Sequence, residues 1–576
     1  MPIGDFGQIV NIHKTLAECM KTWKSNLEET KQHYLDWWNH KGIVLNMWEH
    51  FQEGVKPHAD IAPPAPARDL SQKWFDPQWR AEYLDWYVAH SSLMADMLPV
   101  ANTQLGPGSL AAILGGVFEG GEDTIWIHPD PNFNDEIVFN PEHPNWLLHK
   151  ELLKACKAKA NGNYFVGMPD LMEGLDVLAA LKGTDMVLLD TVMQSEVLEQ
   201  QMQQINDIYF KVFDELYDII REGDEMAFCY FSSWAPGKMS KLQSDISTMI
   251  SQDDYRRFVQ PFIREQCQKI DYTLYHLDGV GAMHHLPALL EIEELNAIQW
   301  TPGVGEPQGG SPKWYDLYKK ILAGGKSVMA CWVTLEELKP LLDHIGADGV
   351  HLEMDFHNER EVEQAMRIIE EYTGSSSSVS ADVHTNQPVG EQDNAQESIR
   401  IREEKSQEED RMKPLYDAIV AGKLEPAVEV TKDAIAAGVL PQDIINGYMI
   451  TAMGEVGQRF QDGKAFVPQL LMAGRAMKGA LELLKPLLAG NASATIGKIV
   501  IGTVKGDLHD IGKNLVASML EGCGFEVINI GIDVTCDKFV EAVKENKADI
   551  LCMSALLTTT MTYMQDVIRA LEEAGI

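Results

Sequence analysis

Positive charge is scarce in this 576-residue chain: 48 Lys and Arg stand against 86 Asp and Glu, a formal net charge of −38. So acidic a surface repels phosphate backbones and anionic bilayers, which excludes nucleic acid and the membrane surface as partners. Long hydrophobic runs are missing too. No stretch reaches the roughly 18 apolar residues of a membrane span, and Met1–Trp23 lacks the basic start and apolar middle of a secretory signal. The eight cysteines (Cys19, Cys156, Cys229, Cys267, Cys331, Cys523, Cys536 and Cys552) include no C-x-x-C pair. They read as free thiols in a reducing compartment, and the expected location is cytoplasmic.

What is present is enough apolar residue, 45%, for more than one core. Thr373–Glu397 breaks the chain: it starts with four serines after a glycine and is poor in large apolar residues, so it cannot bury enough surface to fold. The expected layout is a first domain over 1–372, a flexible linker over 373–397, a helical domain over 398–492 and an α/β domain over 493–576. A tether of this length holds two sites at millimolar effective concentration while one swings against the other. A plain spacer would have the same composition.

In the last domain the β-branched run Lys498–Val504 reads as a buried parallel strand, followed by Gly506-Asp507-Leu508-His509-Asp510-Ile511-Gly512-Lys513-Asn514. This loop presents a histidine at the carboxyl end of a strand, where open α/β sheets bind ligands. It is not a phosphate-binding P-loop: five residues rather than four separate Gly506 from Gly512-Lys513, and Asn514 replaces the Ser or Thr that would hold magnesium. Phe525–Gly531 and Ala548–Leu556 read as the second and third strands.

The pattern D-x-H-x-x-G resembles the cobalamin-binding module of methionine synthase and of corrinoid proteins in anaerobic methyl transfer. The resemblance implies a cobalamin cofactor with His509 as the lower ligand of cobalt, cradled by Gly506, Asp507, Leu508, Asp510, Ile511 and Gly512. It also implies that Ser554 and Leu556 (the family's S-x-L) and Thr558 line the nucleotide tail, and that the Thr560 hydroxyl bonds Asp507. The helical region Ser398–Leu488, with Met453–Phe460 and Gly463–Leu470 as its most telling stretches, is similar to the four-helix cap over the corrin. There the match implies that Phe460 and Val467 cover the methyl group. The family's sheet has five strands; this sequence reaches Ile576 after three, so the expectation is a flavodoxin-like domain truncated after its third strand.

Upstream, apolar segments alternate with helical ones: Tyr164–Gly167, Asp185–Leu189, Glu225–Phe231, Tyr272–Leu277, Ala297–Thr301, Ser327–Cys331 and Gly349–Glu353. Such repetition predicts an α/β fold, a (β/α)8 TIM-like barrel with its chemistry at the strand carboxyl ends. The first 150 residues read as mainly helical and rich in tryptophan, most of it core, with a few rings available to wall an apolar pocket. Tyr275–Gly279, His284–Leu286 and Ile298–Gly303 look like the methyltransferase branch of the uroporphyrinogen decarboxylase superfamily. The decarboxylase itself is a poor match, because its arginine-rich start has no counterpart in Met1–Trp86.

In the coenzyme M branch of that superfamily the position of Asp278 is a zinc-binding cysteine. A site of His276, Asp278 and Glu353 would be harder, suited to polarising an ether or amine leaving group. The alternative is that His276 and Asp278 orient substrate by hydrogen bonds without zinc. The resemblance therefore implies a corrinoid-dependent methyltransferase moving a methyl group from a small O-, N- or S-methylated donor to cob(I)alamin in the same chain, with His276 and Asp278 catalytic. Its implied partners are the donor, a second methyltransferase that accepts the methyl group, and a reductive activator of the corrinoid. The other readings are a corrinoid carrier or sensor, or methyl transfer to a thiol as in the coenzyme M branch.

Overall fold

A computed structural model describes residues 22–373, 405–488, 497–507, 511–522, 525–555 and 558–576, apart from 122–123, 131, 173 and 304. The chain divides into two compact units, Met1–Ser377 and Ser378–Ile576. Among the described residues no helix is long and apolar enough to cross a membrane.

The first unit is built on two arcs of strands. β1 (Ile43–Asn46), β8 (Met239–Gln243), β9 (Tyr272–Asp278), β10 (Ala297–Thr301), β11 (Ser327–Val333) and β12 (Val350–Met354) form one sheet in the order β1-β12-β11-β10-β9-β8, parallel throughout. Every residue of β1, β8 and β12 is buried, the pattern of parallel strands covered on both faces. The second arc is β2 (Val100–Ala101), β5 (Phe165–Met168), β6 (Met226–Phe228) and β7 (Ser233–Ala235), the last antiparallel to β6. β3 (Val117–Gly120) and β4 (Ile125–His128) make a separate hairpin. Among the described residues no strand pairing joins the two arcs.

Helices follow the strands of the larger arc. Leu335–Ile345, after β11, starts in a capping box in which Thr334 and Glu337 satisfy each other's backbone N–H groups. From the tryptophan-rich start of the chain, Trp37 and Trp38 are core, their indole N–H groups donated to the carbonyls of Val328 and Trp234. One sequence expectation fails here. Asp185–Leu189 is not a strand but lies inside the helix Thr184–Met193, which buries Val187, Leu188 and Thr191 and exposes Met186, Val192 and Met193. A short apolar run cannot be told from one face of a buried helix by periodicity. Beside their helices the first 150 residues hold the short strands β1 to β4, and β8 has no alternating or continuous apolar pattern because Lys241 and Gln243 interrupt it.

In the second unit Lys405–Val420, Leu424–Ala436, Ile450–Gln461 and Val467–Leu488 pack around Leu415, Ile419, Ala427, Met449, Met477 and Leu484. Val467–Leu488 approaches Leu424–Ala436 so closely that a β-carbon at Gly479 would sit 2.4 Å from a Leu424 methyl. After it come β13 (Lys498–Thr503), β14 (Glu526–Asn529) and β15 (Ile550–Ser554), all parallel, in the order β14-β13-β15. The helices Cys536–Asn546 and Thr558–Glu573 contribute Phe539 and Val567 to the core beneath.

Candidate functional site

β13 has its sequence neighbour β14 on one side and β15 on the other. At such a switch the connections leave to opposite faces of the sheet and open a crevice beyond the strand ends. The loop after β13 sits at that crevice. Gly506 turns it at φ +81°, and its N–H donates to Asp533 Oδ1 at 2.8 Å. Asp507 is fully buried, and Thr560 Oγ1 donates to its Oδ2 at 2.7 Å. Ser554, the last residue of β15, accepts the Val504 N–H through its carbonyl at 3.0 Å, so the end of β15 adjoins the loop. Lys513 is buried and donates to Asn529 Oδ1 at 2.9 Å.

Ile511 opens the helix Ile511–Gly522, with Gly512 exposed beside it, and Thr558 opens Thr558–Glu573. Leu508, His509, Asp510 and Leu556 lie outside the described residues. On the helical side Phe460 is 45% exposed at the end of Ile450–Gln461, whereas Val467, at the start of the next helix, is packed at 5%. Phe460 is not among the residues of the packed bundle cores, and nearly half of its surface is open to water.

The first unit gathers a second constellation. His276 and Asp278 are two apart on β9 and therefore share a face. Asp245 joins them from the turn that follows β8, and one ligand atom from each of the three lies within 4.8 Å of the others. Asp176 fixes that turn by accepting the backbone N–H groups of Asp245 (2.8 Å) and Ile246 (3.0 Å). Gln299, beside His276 on β10, donates its amide N–H to Thr301 Oγ1 at 2.7 Å and towards Cys331 Sγ, leaving its oxygen to face His276 Nδ1. That network assigns the proton to Nδ1 and leaves Nε2 with its lone pair.

Burial, reinforced by the Lys241 ammonium, pulls the His276 imidazole down to about 3, against the opposing hydrogen bond to Gln299. Burial followed by the Asp176 and Asp278 carboxylates holds Asp245 well above the carboxylate range, and burial raises Asp278. Lys241 is committed to Asp170 at 2.5 Å, with both side chains buried. Carboxylates crowded in this way favour either protons or a further cation.

Glu353 does not join this group. Its Oε1 accepts from Asn46 Nδ2 at 3.3 Å and lies 3.1 Å from His351 Nε2. The order β9-β10-β11-β12 puts three interstrand steps, about 14 Å, between its strand and that of His276. Asp245 comes from the turn that follows β8, the strand next to β9. Sequence reasoning missed it, although Lys241, Gln243 and Asp245 show a polar residue at every second position through a strand and its exit.

Two models of a B12 binding domain match the chain, one over residues 497–576 and the other over 412–485. Trimethylamine corrinoid protein 1 of Methanosarcina mazei is 45% identical over 162 residues, which cover 28% of this chain and 75% of that protein. The dimethylamine corrinoid protein of Methanosarcina barkeri is 42% identical over 169 residues, 29% and 79% of the two chains. Among solved structures, the methanol:cobalamin methyltransferase complex of M. barkeri aligns at 34% identity and a TM-score of 0.27 over 31% of this chain and 71% of its own. A cobalamin-binding protein of Desulfitobacterium hafniense aligns at 34% identity and a TM-score of 0.25, covering 28% and 78%.

Proposed function

Because the chain belongs, through its C-terminal unit, to the corrinoid protein family, we propose that it is a corrinoid-dependent methyltransferase carrying the donor-side site and the corrinoid site in one polypeptide. The observation that carries this reading is the coexistence of two built sites: the Asp507–Thr560 pair in one unit and the Asp245–His276–Asp278 group in the other. A corrinoid carrier that only received methyl groups from a separate enzyme would have no use for the second.

The residues around β13 fit a corrinoid. A buried carboxylate held by a hydroxyl stands two residues before His509, the arrangement that orients a ligating imidazole through its second nitrogen. A bound corrinoid supplies a cobalt that accepts a methyl group from a donor and releases it to an acceptor. His509 would hold the cobalt, Asp507 and Thr560 would fix the ring of His509, and Phe460 and Val467 would keep water from the bound methyl group. Ser554 and Thr558 are assigned to the nucleotide tail.

In the first unit we read the two arcs as the wall of a (β/α)8-type barrel of the uroporphyrinogen decarboxylase kind. Asp245, His276 and Asp278, with Asp245 in the place first given to Glu353, fit zinc: one neutral imidazole with its Nε2 lone pair and two carboxylates leave a fourth position open. Zinc there supplies Lewis-acid polarisation of the atom that the methyl group leaves. Gln299 holds the His276 ring, and Asp176 holds the Asp245 turn. The donor is a small methylated compound; a second methyltransferase and a reductive activator complete the system. The experiment is to mix the full-length protein and reduced corrinoid with a panel of O-, N- and S-methylated compounds and record the visible spectrum. A donor-dependent change is expected. Retained corrinoid with no change for any donor would leave a carrier without donor-side activity.

A further inference from the structure

A cavity of about 700 Å³ opens in the first unit, a size suited to one small organic ligand. Its walls are aromatic: Trp48, Trp74, Trp79, Tyr83 and Tyr230 all line it. The helix Pro77–Ala89 carries Trp79, Arg80 and Tyr83 to it, and Asp76 caps that helix by accepting the N–H groups of Gln78 and Trp79.

Arg80 is the unusual member. It is 7% exposed, and among the described residues its side-chain hydrogen bonds all go from one terminal nitrogen to the carbonyls of Asn102 (3.2 Å) and Gln104 (3.0 Å). The guanidinium lies 5.1 Å from the Trp74 ring, and among the described residues no carboxylate forms an ion pair with it. A buried guanidinium has five N–H donors in a planar fork that matches a carboxylate, and leaving such a charge without an anion is costly. His50, 8% exposed, lines the same cavity with an Nε2 that has no hydrogen-bond partner. Two deeply buried polar groups thus border one aromatic cavity with bonding capacity to spare.

The cavity also has a direction. Tyr230 stands against Trp48 with ring centroids 4.4 Å apart, and Lys241 Nζ lies 5.4 Å from the Tyr230 ring. Phe231, the next residue, faces the His276 ring at 6.2 Å. The Tyr230 end of the cavity therefore adjoins the Asp245–His276–Asp278 group, while Arg80 is on the helix side.

We propose that this cavity binds the methyl donor as a flat apolar carboxylate, with its anion on Arg80 and His50 and its body against Trp48, Trp74 and Tyr230. The proposal rests on the methyl-transfer reading above and names its substrate class. One guanidinium suits one carboxylate, so a polycarboxylate is not implied. An aromatic cage for a quaternary ammonium is disfavoured because Arg80 and Lys73 both line the cavity, whereas among the described lining residues the one carboxylate, Glu49, is exposed.

The test is equilibrium binding to the full-length protein without corrinoid, read by tryptophan fluorescence. The probes are 3-methoxybenzoate, its neutral isostere 3-methoxybenzamide, and tetramethylammonium. The acid is expected to bind at least about tenfold tighter than the amide, the discrimination a site built for a charged group achieves. Arg80→Met should remove that preference and Arg80→Lys should keep part of it, with circular dichroism reporting the fold of each. If Arg80→Met does not fold, the acid–amide comparison on the parent still decides. Equal affinity for acid and amide, or tighter binding of tetramethylammonium, would overturn the proposal. Because no turnover is involved, the two readings fail separately. Acid-selective binding without methyl transfer from any donor sinks the enzyme and keeps the pocket. Transfer from a neutral donor without acid preference does the reverse.

Discussion

Thr560 and Asp507 are 53 positions apart in sequence, yet the threonine hydroxyl donates a 2.7 Å hydrogen bond to a carboxylate from which water is excluded. The bond ties the start of the helix after β15 to the loop after β13, across the mouth of the crevice. Thr560→Val deletes the donor and leaves a buried carboxylate oxygen short of one partner. The second unit should lose about 1–3 kcal/mol of stability, read as a lower midpoint in urea, and Thr560→Ser should restore most of it.

His509 is the residue through which that pair would act on cobalt. His509→Gly should shift the bound corrinoid to a base-off spectrum or abolish its retention. A histidine-on spectrum in this variant would sink the assignment.

Phe460 gives a different signature because its ring is 45% exposed. Phe460→Ala should cost under about 0.5 kcal/mol of stability, as exposed substitutions do, while accelerating photolysis of the methylated corrinoid. Equal light sensitivity in variant and parent would return Phe460 to an ordinary surface role.

At the donor side, His276→Ala should abolish demethylation while the second unit still binds corrinoid, since the two units are separately packed. Metal analysis of the parent should find about one zinc per chain, and Asp245→Asn should lower that occupancy. A metal-free preparation with full activity would leave His276 and Asp278 as hydrogen-bonding residues only.

Acid should weaken the first unit through His149. Burial, with the Arg80 guanidinium acting the same way, lowers this imidazole to about 4 despite its bond to the Asn145 carbonyl. Between about 6.5 and about 4 the unfolded chain takes up a proton that the native state refuses, so stability falls as pH falls, by about 3 kcal/mol at most for this one group. His149→Asn keeps a donor towards Asn145 and cannot be protonated. Its acid titration, followed by near-ultraviolet circular dichroism, should be flatter across that window.

The strand–turn–helix around Gly506 was legible because a β-branched run, a glycine turn and a helical pattern are all local signals. So were β9 to β12, whose apolar segments stand between helical ones. The Asp245–His276–Asp278 group was only half legible. His276 and Asp278 share one strand, and alternation places them together. Asp245 arrives from the turn after a neighbouring strand whose polar interior disguised it, and no local pattern states which strands are neighbours. Glu353 failed for the same reason in reverse: it ends a strand as expected, but the strand order carries it to Asn46 and His351. The Asp185–Leu189 error was one of period, where five apolar-rich residues fit a strand and a buried helix face equally well.

The pairing of β1 with β12 imposes a timetable. Asn46 and Glu353, opposite one another in the ladder, are separated by 307 positions. At a synthesis rate of about 5–20 residues per second, the first strand waits on the order of 15–60 s for its neighbour to be made. During that delay Ile43, Val44 and Leu45, all of which end up buried, have no β12 to pair with. The larger arc therefore closes late in the synthesis of the first unit, and the nascent chain has to be kept from aggregating until β12 exists.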